Sequence, residues 1–516
     1  PASGGGGASQ KSVLTDFAGY PMNMTNQTIT WFVSNGYLPN TAFASAKQSP
    51  FHSGLEDMLG VKIDWRFPTT GTDAFQAFNL MMAGEKLPDV IYHEIMKDSE
   101  RYIDEGTIYD LTDHIKEWSP AYYAWLQTNP AYDRAMKTDS GKYYGYGFFR
   151  EDGGWNDTYL GPVVRKDWLD AQGLPMPETI ADWDKTLRVF KEQYGAVLSF
   201  AKIRVSSNYG TGISGAFGAY TMLDFKLYVT KNGKVQAANV QPEYKNYLAK
   251  LNEWWQAGLL DQDFLTIDDT MAKTNALNSK MGISITSMGQ LSNWSKEAEA
   301  AGNGAVWVGL QYPKGNDGTL SMVPGGYGIG PQVAAVSTSC PPEKLELVMR
   351  ALDYAYTEEG RLYWNFGKKG VSWDYDAEGK PAYLPLVTND PDGLNNAIDK
   401  YGGATWSGNC IQATALLYLK NNPIAIAAND LWFYPNEAVT AYWTLPSGIT
   451  LTLDESNRAA ELQNSISTYA SEMAAKFITG QTPLETFDSF VAQVNSMGLA
   501  ELLAINQAGY DRYLAR

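Results

Sequence analysis

Two side chains that could take part in acid–base chemistry or in ligand binding, His93 and Glu94, follow directly after a short apolar run. Residues 84–94 read GEKLPDVIYHE, and the Gly and Pro at the start predict a turn before a short strand. The strand would therefore end by presenting Tyr92, His93 and Glu94. These three residues could catalyse a reaction, hold a ligand or simply meet solvent, and their types alone leave all three interpretations open.

Other residues with catalytic potential do not form a recognisable enzyme motif. Glu94, Glu151 and Asp152 lie near predicted strand ends and could supply the carboxylate pair of a glycoside hydrolase. The same side chains would equally bind the hydroxyl groups of a sugar. The sequence has no nucleophile elbow, zinc-protease helix, dinucleotide turn or phosphate loop at a plausible place. The three histidines are too scattered to predict a metal triad: His52, His93 and His114.

The aromatic content and the charge favour a carbohydrate ligand. The 516-residue chain has 16 Trp and 32 Tyr, many of them in polar, turn-forming segments such as GGWNDTY (153–159) and GGATWSGN (402–409). Flat apolar rings beside hydrogen-bonding groups suit sugars. A net charge of −17 and the lack of a basic run argue against nucleic-acid binding. Cys340 and Cys410 exclude a disulfide-rich scaffold, and both a single bridge and two free thiols remain open.

Alternating elements predict a parallel sheet covered by helices. The predicted order is strand, helix, strand, helix, strand, over residues 28–34, 50–60, 61–67, 73–83 and 88–92. Ligands of such sheets bind beyond the carboxyl ends of the strands, where Tyr92, His93 and Glu94 lie. Further helices are predicted at 178–193, beginning after Thr179, and at 243–257, and a strand at 281–288. The chain beyond about residue 341 is predicted to be mostly helical.

Four segments in order resemble one known family, the extracellular solute-binding lipoproteins of bacterial ABC transporters that import carbohydrates. They are GEKLPDVIY (84–92), VVRKDWLDAQGLPMPETIADWDKTLRVFKE (163–192), EYKNYLAKLNEWWQAGLLDQDFLT (243–266) and ITGQTPLETFDSFVAQVNSMGLAELLAINQAGYDRYL (478–514). The resemblance implies an α/β, two-lobed periplasmic-binding-protein-like fold, with hinge-crossing segments and a helix-rich second lobe. It also implies binding without catalysis, so the chain is not expected to be an enzyme.

The resemblance also implies a domain organisation and a set of ligand contacts. Residues 1–24 would be a flexible tether, 25–150 plus 287–328 the first lobe, and 151–286 plus 329–516 the second. A crossing near 281–294 would place Asn293 and Trp294 at the cleft. We expect the following residues to bind an oligosaccharide: Trp31, Asn35, Tyr37, Tyr92, His93, Glu94, Arg150, Glu151, Trp155, Asn293, Trp294, Trp373 and Trp406.

The expected partners are an oligosaccharide and the permease subunits of an ABC importer, and the protein is expected to be a monomer. The glycine-rich start PASGGGGASQKS is typical of the tether behind a lipid anchor on the outer face of the cell membrane, or of an ordinary tail of a periplasmic protein. Many relatives carry a calcium loop after the helix that corresponds to 178–193, but KEQYGAVLSFAKIR lacks the carboxylates, so neither a metal nor a cofactor is expected. DYDAEGKP (374–381) is interpreted as a hairpin turn. Glycoside hydrolysis and binding of a peptide remain the alternatives.

Overall fold

The structure is a computed structural model that describes residues 12–34, 43, 45–69, 72–84, 86–151, 155, 158–201, 213–320, 328–405, 408–436 and 445–516. Its strands are β1 (Met24–Val33), β2 (Val61–Arg66), β3 (Val90–His93), β4 (Tyr146–Arg150), β5 (Leu160–Arg165), β6 (Val197–Leu198), β7 (Leu227–Val229), β8 (Val235–Ala237), β9 (Met281–Ser287), β10 (Trp307–Gly309), β11 (Ile329–Val336), β12 (Trp373–Tyr375), β13 (Pro381–Tyr383) and β14 (Ile411–Gln412).

The α-helices follow the same chain order. They are α1 (Pro50–Leu59), α2 (Ala74–Met82), α3 (Ser99–Asp104), α4 (Ile115–Trp118), α5 (Pro120–Thr128), α6 (Pro130–Ala135), α7 (Lys166–Ala171), α8 (Ile180–Tyr194), α9 (Pro242–Gln256), α10 (Asp269–Leu277), α11 (Met288–Ala301), α12 (Pro342–Asp353), α13 (Glu358–Phe366), α14 (Pro385–Thr388), α15 (Leu394–Tyr401), α16 (Thr414–Lys420), α17 (Pro423–Phe433), α18 (Leu453–Thr479), α19 (Phe487–Ser496) and α20 (Leu499–Ala515). In the described part of the chain, none of these helices combines the length and the apolar character needed to cross a membrane.

The first lobe is built around a mixed sheet with the strand order β14-β4-β11-β3-β1-β2. Strand β1 pairs in parallel with β2 and with β3, and Val33 lies beside Tyr92. The Ser49 hydroxyl accepts a hydrogen bond from the first turn of α1, and Gly60 ends that helix with a φ of 68°. Asp73 caps the start of α2 in the same way. The predicted alternation of strands and helices over residues 28–92 is therefore confirmed.

The second lobe contains a smaller sheet with the strand order β10-β5-β9-β6. Helix α8 begins with a capping box between Thr179 and Asp182, as the sequence predicts. Helix α9 buries the predicted aromatic stripe in this lobe: Tyr244, Tyr247, Leu248, Leu251 and Trp254. The long helices α18, α19 and α20 complete the same core. The second lobe is thus rich in helix, as expected.

Sheet membership differs from the predicted lobe boundaries in two places. Strand β10 pairs with β5 of the second lobe, although residues 287–328 were expected in the first. Strand β11 pairs with β3 and β4 of the first lobe, and buried residues from Leu345 to Leu416 belong to the first lobe's core, although 329–516 were expected in the second. The reason is that β9 lies inside the second sheet, between β5 and β6, so the chain does not change lobe at 281–294 but between β10 and β11.

Two smaller predictions are resolved by the described residues. Strands β12 and β13 form an antiparallel hairpin, which confirms the interpretation of residues 374–381 as a turn. Cys340 and Cys410 are both buried free thiols, so the two do not form the bridge that the sequence left open.

A buried carboxyl group in the first lobe gives a pH-dependent contribution to stability. Asp353 at the end of α12 accepts a hydrogen bond of 2.7 Å from the backbone N–H of Tyr122 at the start of α5. The side chain is 3% exposed, and desolvation raises its pKa from 3.8 to about 6. The folded state therefore holds a proton that the unfolded state has lost, and this contribution to stability disappears as the pH rises through that window.

We expect Asp353→Asn to remove this pH dependence, because an amide keeps the acceptor oxygen for Tyr122 and does not ionise. Urea titrations from pH 3.8 to pH 6 should show the wild-type free energy of unfolding falling relative to that of the variant as the pH rises. Two stability curves that stay parallel across this range would contradict the assignment.

Candidate functional site

The end of β3 places His93 in a closely packed aromatic setting. Its ring stacks on Phe78 at a centroid distance of 4.0 Å and meets the edge of Phe75 at 4.9 Å. Its Nδ1 lies 2.7 Å from the Ser34 hydroxyl at the end of β1. The residue is 2% exposed, and desolvation lowers its pKa to about 4, although the charge of Asp73 opposes this shift. His93 is therefore a neutral, fixed hydrogen-bonding group at neutral pH.

We expect the lowered pKa of His93 to make the protein less stable in acid. The neutral ring is favoured in the folded state, so this contribution is complete above pH 6.5 and is lost as the pH falls towards about 4. His93→Gln keeps a partner for Ser34 but cannot be protonated. As the pH falls through this window, denaturant titrations should show the wild-type free energy of unfolding decreasing relative to that of the variant. A difference between the two proteins that stays the same at every pH would contradict the prediction.

The neighbours of His93 point in different directions. The buried Tyr92 hydroxyl oxygen accepts a hydrogen bond of 2.7 Å from the backbone N–H of Gly408, which ties β3 to the loop before β14. Glu94 is exposed and accepts a hydrogen bond of 3.0 Å from the Gln332 side chain of β11. Of the three residues at this strand end, Glu94 is the one that offers a polar group at the surface. Gln332 was not identified from the sequence.

A row of aromatic rings follows β1 and β2 towards the same edge of the sheet. Trp31 and Trp65 are paired across the two strands, and their rings stack at 5.0 Å. Trp65 in turn stacks on Phe67 at 6.1 Å, and His52 of α1 meets the edges of both. Trp31 is fully buried, whereas Trp65 and Phe67 are half-buried. The row therefore turns partly accessible rings towards the carboxyl end of β2.

Sequence reasoning selected Trp31 from this row and missed Trp65 and Phe67. The signal was present, since VKIDWRF alternates and places residues 65 and 67 on one face of the predicted strand 61–67. The stacking of Trp65 on Trp31 could not be predicted in the same way, because it depends on the register between β1 and β2 in the folded sheet.

The end of β4 begins the first segment that connects the two lobes. Arg150 is half-buried, and its carbonyl oxygen accepts a hydrogen bond of 2.9 Å from the Tyr132 hydroxyl. The Glu151 carboxylate accepts one bond of 2.9 Å from Arg361 of α13 and another of 3.1 Å from the backbone N–H of Thr414, at the start of α16. Glu151 is exposed at its position between these elements.

Trp155, in the same connecting segment, packs against the second lobe. Its indole N–H donates a 2.8 Å hydrogen bond to Asp430, and its ring stacks almost parallel to Tyr418 at 5.3 Å. Trp155 is buried, while Tyr418 is 46% exposed. The outer aromatic face at this position thus belongs to Tyr418, which the sequence did not single out because it lies in an ordinary helical segment.

Two other predicted tryptophans fill hydrophobic cores. Trp294 lies on α11, beyond β9, and packs beside Trp307 at 5.5 Å in the second lobe. The Trp373 indole N–H donates a 2.9 Å hydrogen bond to the Gly367 carbonyl in the first lobe. Both are buried, as Trp31 is, so none of the three offers the open ring face that was expected. Asn293 is exposed on α11.

Several predicted contacts remain predictions. Asn35, Tyr37 and Trp406 lie outside the described residues. The ligand-binding roles of the other ten also remain predictions. Among the residues that the structure does describe, no three His, Cys, Asp or Glu side chains gather as metal ligands would. The candidate site is therefore the edge of the first sheet at the carboxyl ends of β1, β2, β3 and β4, where hydrogen-bonding groups and partly accessible rings lie.

Comparison with known proteins relates this architecture to one class. The fructooligosaccharide ABC transporter substrate-binding protein FusA of Streptococcus pneumoniae is 23% identical over 497 residues, which cover 89% of this chain and 86% of FusA. The chain is a homologue of ABC-transporter substrate-binding proteins. Lipoprotein LipO of Bacillus subtilis, a second relative, is 23% identical over 63% of this chain and 64% of LipO. No model of a known protein family matches the sequence.

Solved structures share the two-lobed fold of the substrate-binding proteins. FusA in complex with kestose superposes with a TM-score of 0.72 at 21% identity, covering 95% of this chain and 100% of FusA. An extracellular solute-binding protein from Bifidobacterium longum subsp. infantis gives a TM-score of 0.76 at 17% identity, over 94% of this chain and 98% of that one. The alginate-binding protein AlgQ2 gives 0.71 at 21% identity, over 94% and 97%. The expected fold class is confirmed.

Proposed function

We propose that this protein captures an oligosaccharide between its two lobes and delivers it, chemically unchanged, to the permease of an ABC importer. The observation that carries the proposal is the similarity to FusA, which extends over 89% of the chain and therefore over both lobes. The exposed polar groups and accessible rings at the first lobe's edge are the groups that such a ligand requires.

The proposed mechanism is closure rather than catalysis. Rings such as Phe67 and Tyr418 stack on the apolar faces of the sugar, and its hydroxyl groups bond to Glu94, Gln332 and Glu151. A ligand that contacts both lobes favours the closed arrangement by the difference between its affinities for the closed and open states. The permease then recognises the closed form. The net charge of −17 favours a neutral sugar over a polyanionic one.

The remaining partners follow from the same proposal. Lipoprotein LipO is among the relatives, and we propose that this protein too is lipid-anchored on the outer face of the cell membrane. It acts as a monomer of 56.9 kDa, which light scattering during size-exclusion chromatography would measure.

A thermal-shift panel tests the ligand class. The panel contains kestose, nystose, alginate oligosaccharides, milk oligosaccharides and, as a non-sugar control, a tetrapeptide mixture. A ligand selective for the folded protein raises the melting temperature. We expect at least one neutral oligosaccharide to do so and the peptides to have no effect. Stabilisation by the peptides alone would replace the proposal with a peptide-binding function.

A further inference from the structure

Helix α20 belongs to both lobes. Leu499 and Leu502, at its start, are buried in the core of the second lobe, whereas Tyr513, near its end, is buried in the core of the first. Between them, the Gln507 side chain bonds to the β7–β8 hairpin of the second lobe: it accepts from the Val235 N–H at 2.8 Å and donates to the Gly233 carbonyl at 3.0 Å. The helix therefore connects the two lobes mechanically.

A group of charged side chains holds the end of α20 to the first lobe. Asp139, in the turn between α6 and β4, accepts a hydrogen bond of 2.9 Å from Arg512 Nε on one oxygen. Its other oxygen accepts bonds of 2.9 and 2.6 Å from Arg516. The Arg516 side chain is 0% exposed and also donates to the Lys137 carbonyl at 2.6 Å. These bonds hold the end of α20 to the first lobe.

The segment that returns from α17 to α18 joins the same group. Arg516 donates to the Thr450 hydroxyl at 2.6 Å and to the Gly448 carbonyl at 2.8 Å. Arg512 makes a bidentate salt bridge with Glu455, in the first turn of α18, with N–O distances of 3.1 and 2.5 Å. We call the set Asp139, Thr450, Glu455, Arg512 and Arg516 the Asp139 junction.

We propose that the Asp139 junction is the pivot about which the lobes close, and that Asp139 is a positioning residue for ligand binding although it does not touch the ligand. Removing its carboxylate would leave the buried guanidinium group of Arg516 without the acceptor that carries the opposite charge, whereas Arg512, which is 32% exposed, would keep Glu455. Because an uncompensated buried charge is costly, the junction stays intact while the lobes move. It confines the open protein to a narrow range of lobe orientations. The effect on ligand affinity rests on the function proposed above, whereas the effect on lobe orientation does not.

The test measures lobe orientation without a ligand. Spin labels on Asn79→Cys of α2 and Glu192→Cys of α8 report one distance between exposed sites on the two lobes, and the native Cys340 and Cys410 are buried. Electron–electron double resonance gives the distribution of this distance. We expect Asp139→Asn, and separately Arg512→Gln, to broaden the distribution relative to the labelled parent protein. Nystose or kestose, whichever binds, should bind about five-fold more weakly to these variants, because fewer molecules are competent to close.

The matched control is Arg458→Gln. Arg458 also makes a bidentate salt bridge, with Glu501 of α20, at N–O distances of 2.8 and 2.7 Å, but both partners belong to the second lobe. This variant should leave the distance distribution and the affinity unchanged. Unaltered distributions in both junction variants, or equal broadening in the control, would overturn the pivot. If no sugar binds the parent protein, the proposed function fails while the distance measurement still decides the pivot.

Discussion

Trp432→Ala is expected to lower the free energy of unfolding by about 3–5 kcal/mol, the range for truncating a buried tryptophan. Trp432 of α17 is fully buried and lies over Gly161 of β5, where an added Cβ would come within 2.3 Å of the indole ring. Its N–H donates to the carbonyls of Pro162 and Leu310 at 3.0 and 3.1 Å. The substitution would leave a cavity between α17 and the second sheet and remove the donor that these carbonyls share.

Urea unfolding followed by circular dichroism measures this loss. Tyr434→Ala, which truncates a ring that is 58% exposed just beyond the same helix, is the matched control and should change stability by less than about 0.5 kcal/mol. Trp432→Phe should fall between the two, because it keeps most of the ring and loses the donor. A Trp432→Ala variant as stable as the control would contradict the packing of α17 on β5.

Phe67→Ala is expected to weaken oligosaccharide binding by about ten-fold, which corresponds to the upper range for one aromatic contact. Phe67 is half-buried just beyond β2, and its ring is supported from behind by Trp65, which stacks on Trp31. A ring held in this way loses little conformational entropy when a sugar stacks on it. Loss of the ring should therefore appear mainly as faster dissociation.

Calorimetry with the sugar that gives the largest thermal shift measures this effect. The control is Tyr375→Ala, which removes a ring that is 43% exposed on the β12–β13 hairpin. The control should bind as the wild type does. Equal affinities of Phe67→Ala and the wild type for the sugar would show that Phe67 is not part of the binding site.

Local sequence patterns were sufficient to predict the elements around the site. Alternation in VKIDWRF, Gly60 after α1 and the cap at Asp73 are each set by a few neighbouring residues, and the corresponding elements lie where they were expected. By contrast, local patterns did not predict where the chain crosses from one lobe to the other. MGISITS is buried at every position, its Ser and Thr residues included, so it would suit the centre of either sheet, and only pairing with β5 and β6 assigns β9 to the second lobe.

The orientation of individual aromatic rings could not be predicted from the sequence either. Trp294 stands in a polar segment, SNWS, yet its side of α11 faces Trp307 and the second lobe's core, while Asn293 faces outward. Conversely, Tyr418 lies in an apolar helical run but presents its ring at the surface because Trp155 occupies its inner face. The polarity of the neighbours in the sequence therefore does not determine the direction of one side chain.

We propose that the protein holds an oligosaccharide between its lobes and releases it chemically unchanged. Calorimetric titration with the most strongly stabilising oligosaccharide measures the binding. Chromatography of the sugar recovered from the calorimeter cell then shows whether the protein has changed it. We predict one ligand per chain, a dissociation constant in the micromolar range or tighter, and sugar recovered at its original length. Shortened sugars would indicate a hydrolase, and an absence of heat with every oligosaccharide of the panel would contradict carbohydrate capture.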